Sequence, residues 1–308
     1  MLEQELSFHS RVAIVTGAGG GLGRSHALEL ARRGASVVVN DLGGAVDGTG
    51  TSPTAAQQVV REIVAAGGDA VPNYDTVATP EGGEAIVQAA LDTWGRVDVV
   101  VNNAGILRDK AFHNMGPDQL DPVVDVHLKG AFHVTRPAWK VMREQGYGRV
   151  VNTSSGSGIF GNFGQSNYGA AKMGLVGLTR VLAIEGVKYD IKVNAIAPMA
   201  KSRMSDSGVT VERSGPEWVS PLVAYLTHQD CPVTGEVYSV GFGRVARVFI
   251  GVTPGYVAGD HLTAEGVRDH FDQIRSEDGY LVPVNVYEEV MRALPDLAAA
   301  DLAAVRRG

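Results

Sequence analysis

Residues 12–23 read Val12-Ala13-Ile14-Val15-Thr16-Gly17-Ala18-Gly19-Gly20-Gly21-Leu22-Gly23. An apolar run of strand length is cut by a glycine-rich turn, and a helical pattern follows from Leu22 to Arg33. Glycines at such a junction let the backbone turn tightly and approach a pyrophosphate, which the positive end of the helix stabilises. In this strand–loop–helix setting Gly17, Gly21, Leu22 and Gly23 are candidate nucleotide-binding positions.

The same alternation continues outward. Strands are expected at 35–40, 70–74, 97–102, 149–153, 192–196 and 237–240, and helices at 54–66, 83–94, 121–145 and 166–185. Runs such as Val37-Val38-Val39 and Val99-Val100-Val101 lack polar alternation, which suits strands covered on both faces. Repeated strand–helix–strand units with right-handed crossovers predict an α/β fold, a doubly wound parallel sheet over residues 1–243. Beyond Gly243 the pattern changes. Residues 244–257 alternate around Thr253-Pro254-Gly255 as in a hairpin, and 263–275 and 286–294 read as amphipathic helices. Residues 244–308 are therefore expected to form a C-terminal extension packed on the same domain or on a partner subunit.

Composition narrows the function classes. With 308 residues the chain buries enough surface to fold without staples, and its single cysteine, Cys231, cannot close an internal disulfide. A formal net charge of −7 argues against a nucleic-acid partner. The acidic start, Met1-Leu2-Glu3-Gln4-Glu5, lacks the features of a signal peptide, and no run is long and apolar enough for a membrane helix. The last residues, Val305-Arg306-Arg307-Gly308, do not read as a peroxisomal address. These readings point to a soluble, cytoplasmic protein. The eight histidines show no metal-ligand spacing and no Cys/His cluster accompanies them, so no metal is expected.

Asp41 closes the second strand, 18 residues after Gly23. A carboxylate there accepts both adenosine ribose hydroxyls and repels a 2′-phosphate, and Gly20 and Leu42 nearby supply no cation. NAD is thus expected over NADP. Tyr168 and Lys172 stand four apart on a helix and share a face. The lysine cation and an oxidised nicotinamide held near the phenol favour phenolate, and lowering the tyrosine from pKa about 10 by three units corresponds to roughly 4 kcal/mol. Such a phenol is a usable general base. Ser155, 13 residues upstream at a strand end, is placed to polarise an alcohol or carbonyl oxygen beside it.

Together these residues carry a resemblance. TGAGGGLG at 16–23, Asn102-Asn103-Ala104-Gly105, Ser155 and Tyr168-Gly169-Ala170-Ala171-Lys172 resemble the short-chain dehydrogenase/reductase family, with its Rossmann-type sheet. The resemblance implies that Ser155 positions substrate, Tyr168 is the acid/base, and Lys172 holds the nicotinamide ribose while lowering the Tyr168 pKa. It also implies that Asn103, Ala104 and Gly105 line the cofactor side and that Asp75 lies near the adenine. Homodimers or homotetramers built on 121–145 and 166–185 are implied as well.

A narrower likeness is carried by VVVNDLGG (37–44), VVVNNAGILRDK (99–110), GIFGNFGQSNYGAAKMGLVGL (158–178) and APMAKSRM (197–204). These resemble the (3R)-hydroxyacyl-CoA dehydrogenase region of peroxisomal multifunctional enzymes of type 2, also called 17β-hydroxysteroid dehydrogenase type 4. A stand-alone dehydrogenase, with no hydratase or sterol-carrier domain following, is the expectation from this likeness. The implied substrate is an acyl-CoA or steroid-CoA thioester; the competing readings are an NADPH-dependent 3-oxoacyl reductase, a free hydroxysteroid dehydrogenase and a non-catalytic dinucleotide sensor.

Two positions depart from the broad family pattern. His127 stands where that family has a catalytic asparagine, so it is a candidate catalytic residue through a main-chain carbonyl that holds a relay water. Pro198-Met199 replaces Pro-Gly, next to nicotinamide contacts expected around Ser202. Residues 200–220 read as a lid over substrate, and 156–163 as either a pocket wall or a flexible loop. Arg108 and Lys110 read either as attractors of CoA phosphates or as a solvated loop end.

Overall fold

The computed structural model describes residues 5–200 and 212–293. The chain divides into two compact units, one reaching Arg247 and one beginning at Val248. In the first, β1 (Val12–Thr16), α1 (Gly21–Arg32), β2 (Ser36–Asn40), α2 (Thr54–Ala65), β3 (Asp69–Asn73), α3 (Pro80–Trp94) and β4 (Val99–Asn102) follow in turn. After them come α4 (Pro117–Val124), α5 (Gly130–Gln145), β5 (Gly148–Thr153), α6 (Gly156–Phe160), α7 (Ser166–Gly186), β6 (Ile191–Met199), α8 (Ser220–Thr227), β7 (Val237–Gly241) and β8 (Arg244–Val248).

The strands form one sheet in the order β3-β2-β1-β4-β5-β6-β7-β8. The pairs from β3 through β7 are parallel. Successive strand residues face opposite sides. Ala13 and Val15 therefore join the apolar layer under α1, α2 and α8, whereas Val12 and Ile14 join the layer under α3 and α5. Burial on both faces explains the continuous valine runs. Strand order reverses direction between β1 and β4, and in open α/β sheets a crevice opens at that switch, beyond the strand C-termini.

Three expected elements take another form. The helix expected over 121–145 is interrupted by a π-helical turn, Asp125–Lys129, between α4 and α5. Pro122, which lacks an N–H, lies just before the widened turn, and the extra residue rotates the register across His127. The hairpin expected over 244–257 is absent. Instead β8 turns back beside β7 about Phe242 and Gly243, both at positive φ (54° and 79°), as a two-residue hairpin turn requires. Val252 bridges to Leu281 in the second unit. There the helix expected over 263–275 is split at His270 into α9 (Ala264–Asp269) and α10 (Phe271–Arg275), and α11 (Val286–Ala293) follows.

His26 is fully buried where α1 meets α8. Its Nδ1 lies 2.8 Å from the Ser220 hydroxyl, while Nε2 is buried without a partner. Burial pushes its pKa down to about 3. The unfolded chain takes up this proton near pH 6.5 and the folded chain does not, so the stabilisation is complete above pH 6.5 and lost as pH falls toward 3. Denaturant unfolding is expected to show a loss of about 2 kcal/mol from His26 between pH 6.5 and 5. In the His26→Asn variant that increment should vanish; an unchanged pH slope would contradict the assignment.

Candidate active site

At the switch point the ends of β1 and β4 are tied by side chains. The Thr16 hydroxyl accepts hydrogen bonds from the Asn103 and Ala104 amides (3.0 and 3.1 Å). In return, Asn103 Nδ2 donates to the carbonyls of Thr16 and Gly17 (2.9 and 3.2 Å). Helix α1 begins after Gly20, whose extended backbone offers no capping side chain to the first-turn amides. Gly17, Gly21 and Leu22 face a cavity of about 700 Å³. Gly23 does not line it: a Cβ there would sit 2.2 Å from the Gly17 carbonyl oxygen, so Gly23 permits the close packing of helix on loop.

Asp41, at the tip of β2, accepts from the Gly19 amide (2.7 Å) and the Gly43 amide (2.6 Å), which fixes the carboxylate on the cavity wall. Asp75 lines the same end; Asn40 Nδ2 donates to its carbonyl (2.9 Å) and Asn73 Nδ2 to its carboxylate (2.7 Å). Ala104, Gly105, Pro198 and Ala200 also face the cavity, whereas Ser202 and residues 201–211 of the lid expected over 200–220 lie outside the described residues; of the rest, Pro216–Trp218 form a short 3-10 turn and Ser220 begins α8. The cradle fits a dinucleotide: glycines at the turn, an uncapped helix start and a fixed carboxylate where a ribose would lie.

Ser155, Tyr168, Lys172 and His127 line the same cavity, and because Ser155 follows β5 whereas Asp41 follows β2, they lie on the other side of the β1/β4 switch from Asp41. Ser155 ends the β5 connection and caps α6, its hydroxyl accepting from the Ser157 amide (3.1 Å). Residues 156–160 are thus a short helix. Tyr168 sits in the first turn of α7, oriented by a buried neighbour that the sequence reading did not single out. Asn167 donates to the carbonyls of Arg108 (3.0 Å) and Gln119 (2.7 Å) and accepts from the Tyr168 amide (2.7 Å). Its position directly before a helical tyrosine was the one available signal.

The electrostatics differ from the sequence expectation. Burial pushes the Tyr168 phenol above its ordinary value, and the opposing influence is the Ser155 hydroxyl, not Lys172. Lys172 is itself driven down to about 7 by complete burial, so near neutrality it is not a permanent cation. Its Nζ donates to the Thr153 carbonyl and lies 5.5 Å from the Tyr168 ring centre.

His127, carried on the π-helical turn, packs edge-on against Tyr168, with centroids 5.1 Å apart and planes at 88°. Its Nε2 lies 3.1 Å from the Ile106 amide nitrogen and 2.8 Å from the Ile106 carbonyl oxygen, so the side chain pins the loop after β4. Burial and the nearby Lys172 hold the imidazole well below its usual pKa, hence neutral. Arg108 is engaged within the protein: Nε donates to the Asp47 carbonyl (2.9 Å) and Nη1 to the Asp118 carbonyl (2.7 Å).

Comparison with known proteins accords with this geometry. Residues 11–208 match the short chain dehydrogenase family. The chain is 57% identical over 241 residues to a short-chain type dehydrogenase/reductase of Mycobacterium tuberculosis, covering 77% of this chain and 84% of that one. It is 50% identical over 288 residues to the peroxisomal multifunctional enzyme A of Dictyostelium discoideum, covering 92% of this chain but 64% of that protein. The full-length peroxisomal multifunctional enzyme type 2 of Drosophila melanogaster superposes with a TM-score of 0.80 at 36% identity, over 94% of this chain and 50% of that one. The chain therefore spans only about half to two thirds of these multifunctional relatives. Among the described residues no helix is long and apolar enough to cross a membrane. The chain belongs to the short-chain dehydrogenase/reductase family and is an NAD(P)-dependent oxidoreductase.

Proposed function

We propose that the protein oxidises a secondary alcohol with NAD, the substrate being a (3R)-hydroxyacyl-CoA or a steroid side-chain hydroxyacyl-CoA and the product its ketone. The observation that carries this reading is the layout of one cavity, with Asp41 on one side of the β1/β4 switch and Ser155, Tyr168 and Lys172 together on the other. Asp41 lines the cavity with Leu42, Gly44 and Ala45 beside it, none of them cationic; a carboxylate there would accept the ribose hydroxyls, which favours NAD over a 2′-phosphorylated cofactor. The likeness to multifunctional enzymes supports the thioester substrate.

In this reading Tyr168, as phenolate, accepts the substrate hydroxyl proton, and the Ser155 hydroxyl donates to the oxygen as it becomes a carbonyl. Bound in the cavity, the oxidised nicotinamide supplies the carbon that accepts hydride. Gly17, Gly21, Leu22, Asn103, Ala104, Gly105 and Pro198 line the cavity and would hold the dinucleotide, with Asp75 near its adenine. Lys172, whose Nζ donates to the Thr153 carbonyl, would hold the nicotinamide ribose with its remaining protons. His127 acts on Tyr168 through contact and through the Ile106 loop. Exposed Phe132 on α5 and Val181, Ile184 and Val187 at the outer side of α7 and its end support a homodimer or homotetramer through these elements.

The substrate reading is tested by following 340 nm absorbance with NAD on (3R)- and (3S)-3-hydroxyacyl-CoA in parallel. Turnover confined to the 3R isomer is expected, and turnover of the 3S isomer alone would overturn it. The electrostatics add a pH prediction. Because burial holds the phenol protonated, kcat/KM for oxidation should climb as pH rises above 7, as each unit increases the phenolate fraction. A rate that falls steadily over that range would contradict Tyr168 as the base.

A further inference from the structure

The connection from β2 to α2, residues 41–53, is long beside its neighbours in the sheet, 17–20 after β1 and 74–79 after β3. Such connections usually take about 2–6 residues. This one is folded, not slack. The Ser52 amide donates to the Leu42 carbonyl (3.0 Å) and closes the neck, while Ala45 N–H to Thr49 O (2.8 Å) and Gly48 N–H to Ala45 O (3.0 Å) close the tip. At the neck, Gly43 has φ +75°, and a Cβ there would lie 1.8 Å from the Ser52 carbonyl oxygen, so only glycine fits.

The tip is fastened to the loop that follows β4. The Leu107 amide donates to the Val46 carbonyl (2.9 Å), and Arg108 Nε donates to the Asp47 carbonyl (2.9 Å). Gly48 lies flat on Ile106, where a Cβ would come within 3.1 Å of the isoleucine Cδ1. Since β1 lies between β2 and β4, a segment rooted on β2 and tied beyond β4 passes across the end of β1 and its glycine turn. Leu42, Gly44, Ala45, Val46 and Gly48 of this segment face the cavity.

We propose that residues 41–53 are a strap over the dinucleotide, latched by Arg108 and the Val46–Leu107 hydrogen bond, and that the latch must open for the cofactor to exchange. The inference rests on the dinucleotide reading above. It gives a function to the two hydrogen bonds that Arg108 makes to protein carbonyls. The guanidinium acts as a positioning group for the strap. Arg108 also donates to the Asp118 carbonyl at the start of α4, so the latch is anchored on the same loop-and-helix framework that Asn167 ties to Tyr168.

The test uses NADH fluorescence in stopped flow on the wild type, Arg108→Ala and Gly48→Val. Each variant should still saturate with NADH but release it about tenfold faster, the effect expected for loss of one charge-assisted hydrogen bond or its steric equivalent. Release at the wild-type rate from both folded variants would overturn the strap. Should either variant fail to fold, amide hydrogen exchange on the wild type decides. Saturating NADH should slow exchange at Gly48, Ser52 and Leu107, whose amides make the strap bonds, and exchange unchanged by NADH would refute it. A wild type that does not bind NADH at all would reject the dinucleotide reading and, with it, the strap. That failure is distinct from rapid release.

Discussion

The paired hydrogen bonds between Thr16 and Asn103 are the constraint on which the site depends. They lock the end of β1 to the end of β4 at the point where the sheet changes direction. With those ends fixed, the glycine turn, the start of α1 and the loop carrying Gly105 and Ile106 take fixed places along one wall. The remaining contacts radiate from this junction. His127 pins Ile106, Arg108 holds the strap, and Asn167 reaches back from α7 to the same loop to orient Tyr168. A buried polar network of this kind is rigid only when its members are satisfied. Here the reach of Asn167 and Arg108 to backbone carbonyls joins segments that are distant in sequence.

The reacting end is built in a place where charge is costly. Lys172 and His127 are both buried and both pushed toward neutrality, and Tyr168 is pushed toward its protonated form. Desolvation opposes the separated ions at all three residues. The free protein is thus held with an uncharged phenol, and positive charge brought by an oxidised cofactor would be strongly felt in that low-dielectric surrounding. On this account proton abstraction is coupled to cofactor binding and is not a standing property of the Tyr168–Lys172 pair.

Much of the fold was legible because its signals are local. Apolar runs buried on two faces mark strands β1, β2 and β4, glycine turns punctuate them, and the four-residue spacing of Tyr168 and Lys172 places them on one helical face. The elements that escaped reading depend on distant partners or carry no compositional mark. A π-helical turn has no residue signature, so His127 could be placed on a helix but not on its widened turn. Strand β8 is largely exposed and lacks the apolar pattern that marks the others. The ties from Val46 and Asp47 to Leu107 and Arg108 join segments about sixty residues apart, and nothing in a glycine-rich loop names its partner. The direction of the Tyr168 shift was likewise out of reach, because it is decided by burial and not by the neighbouring lysine.

The central claim is that binding and chemistry occupy opposite sides of the β1/β4 switch in one cavity and that Tyr168 serves the chemistry. It is tested most directly by measuring NADH affinity and single-turnover oxidation together in Tyr168→Phe. The account predicts NADH affinity within about threefold of wild type and oxidation slowed by roughly a thousandfold, the scale of a lost general base. Oxidation that persists near the wild-type rate would contradict it.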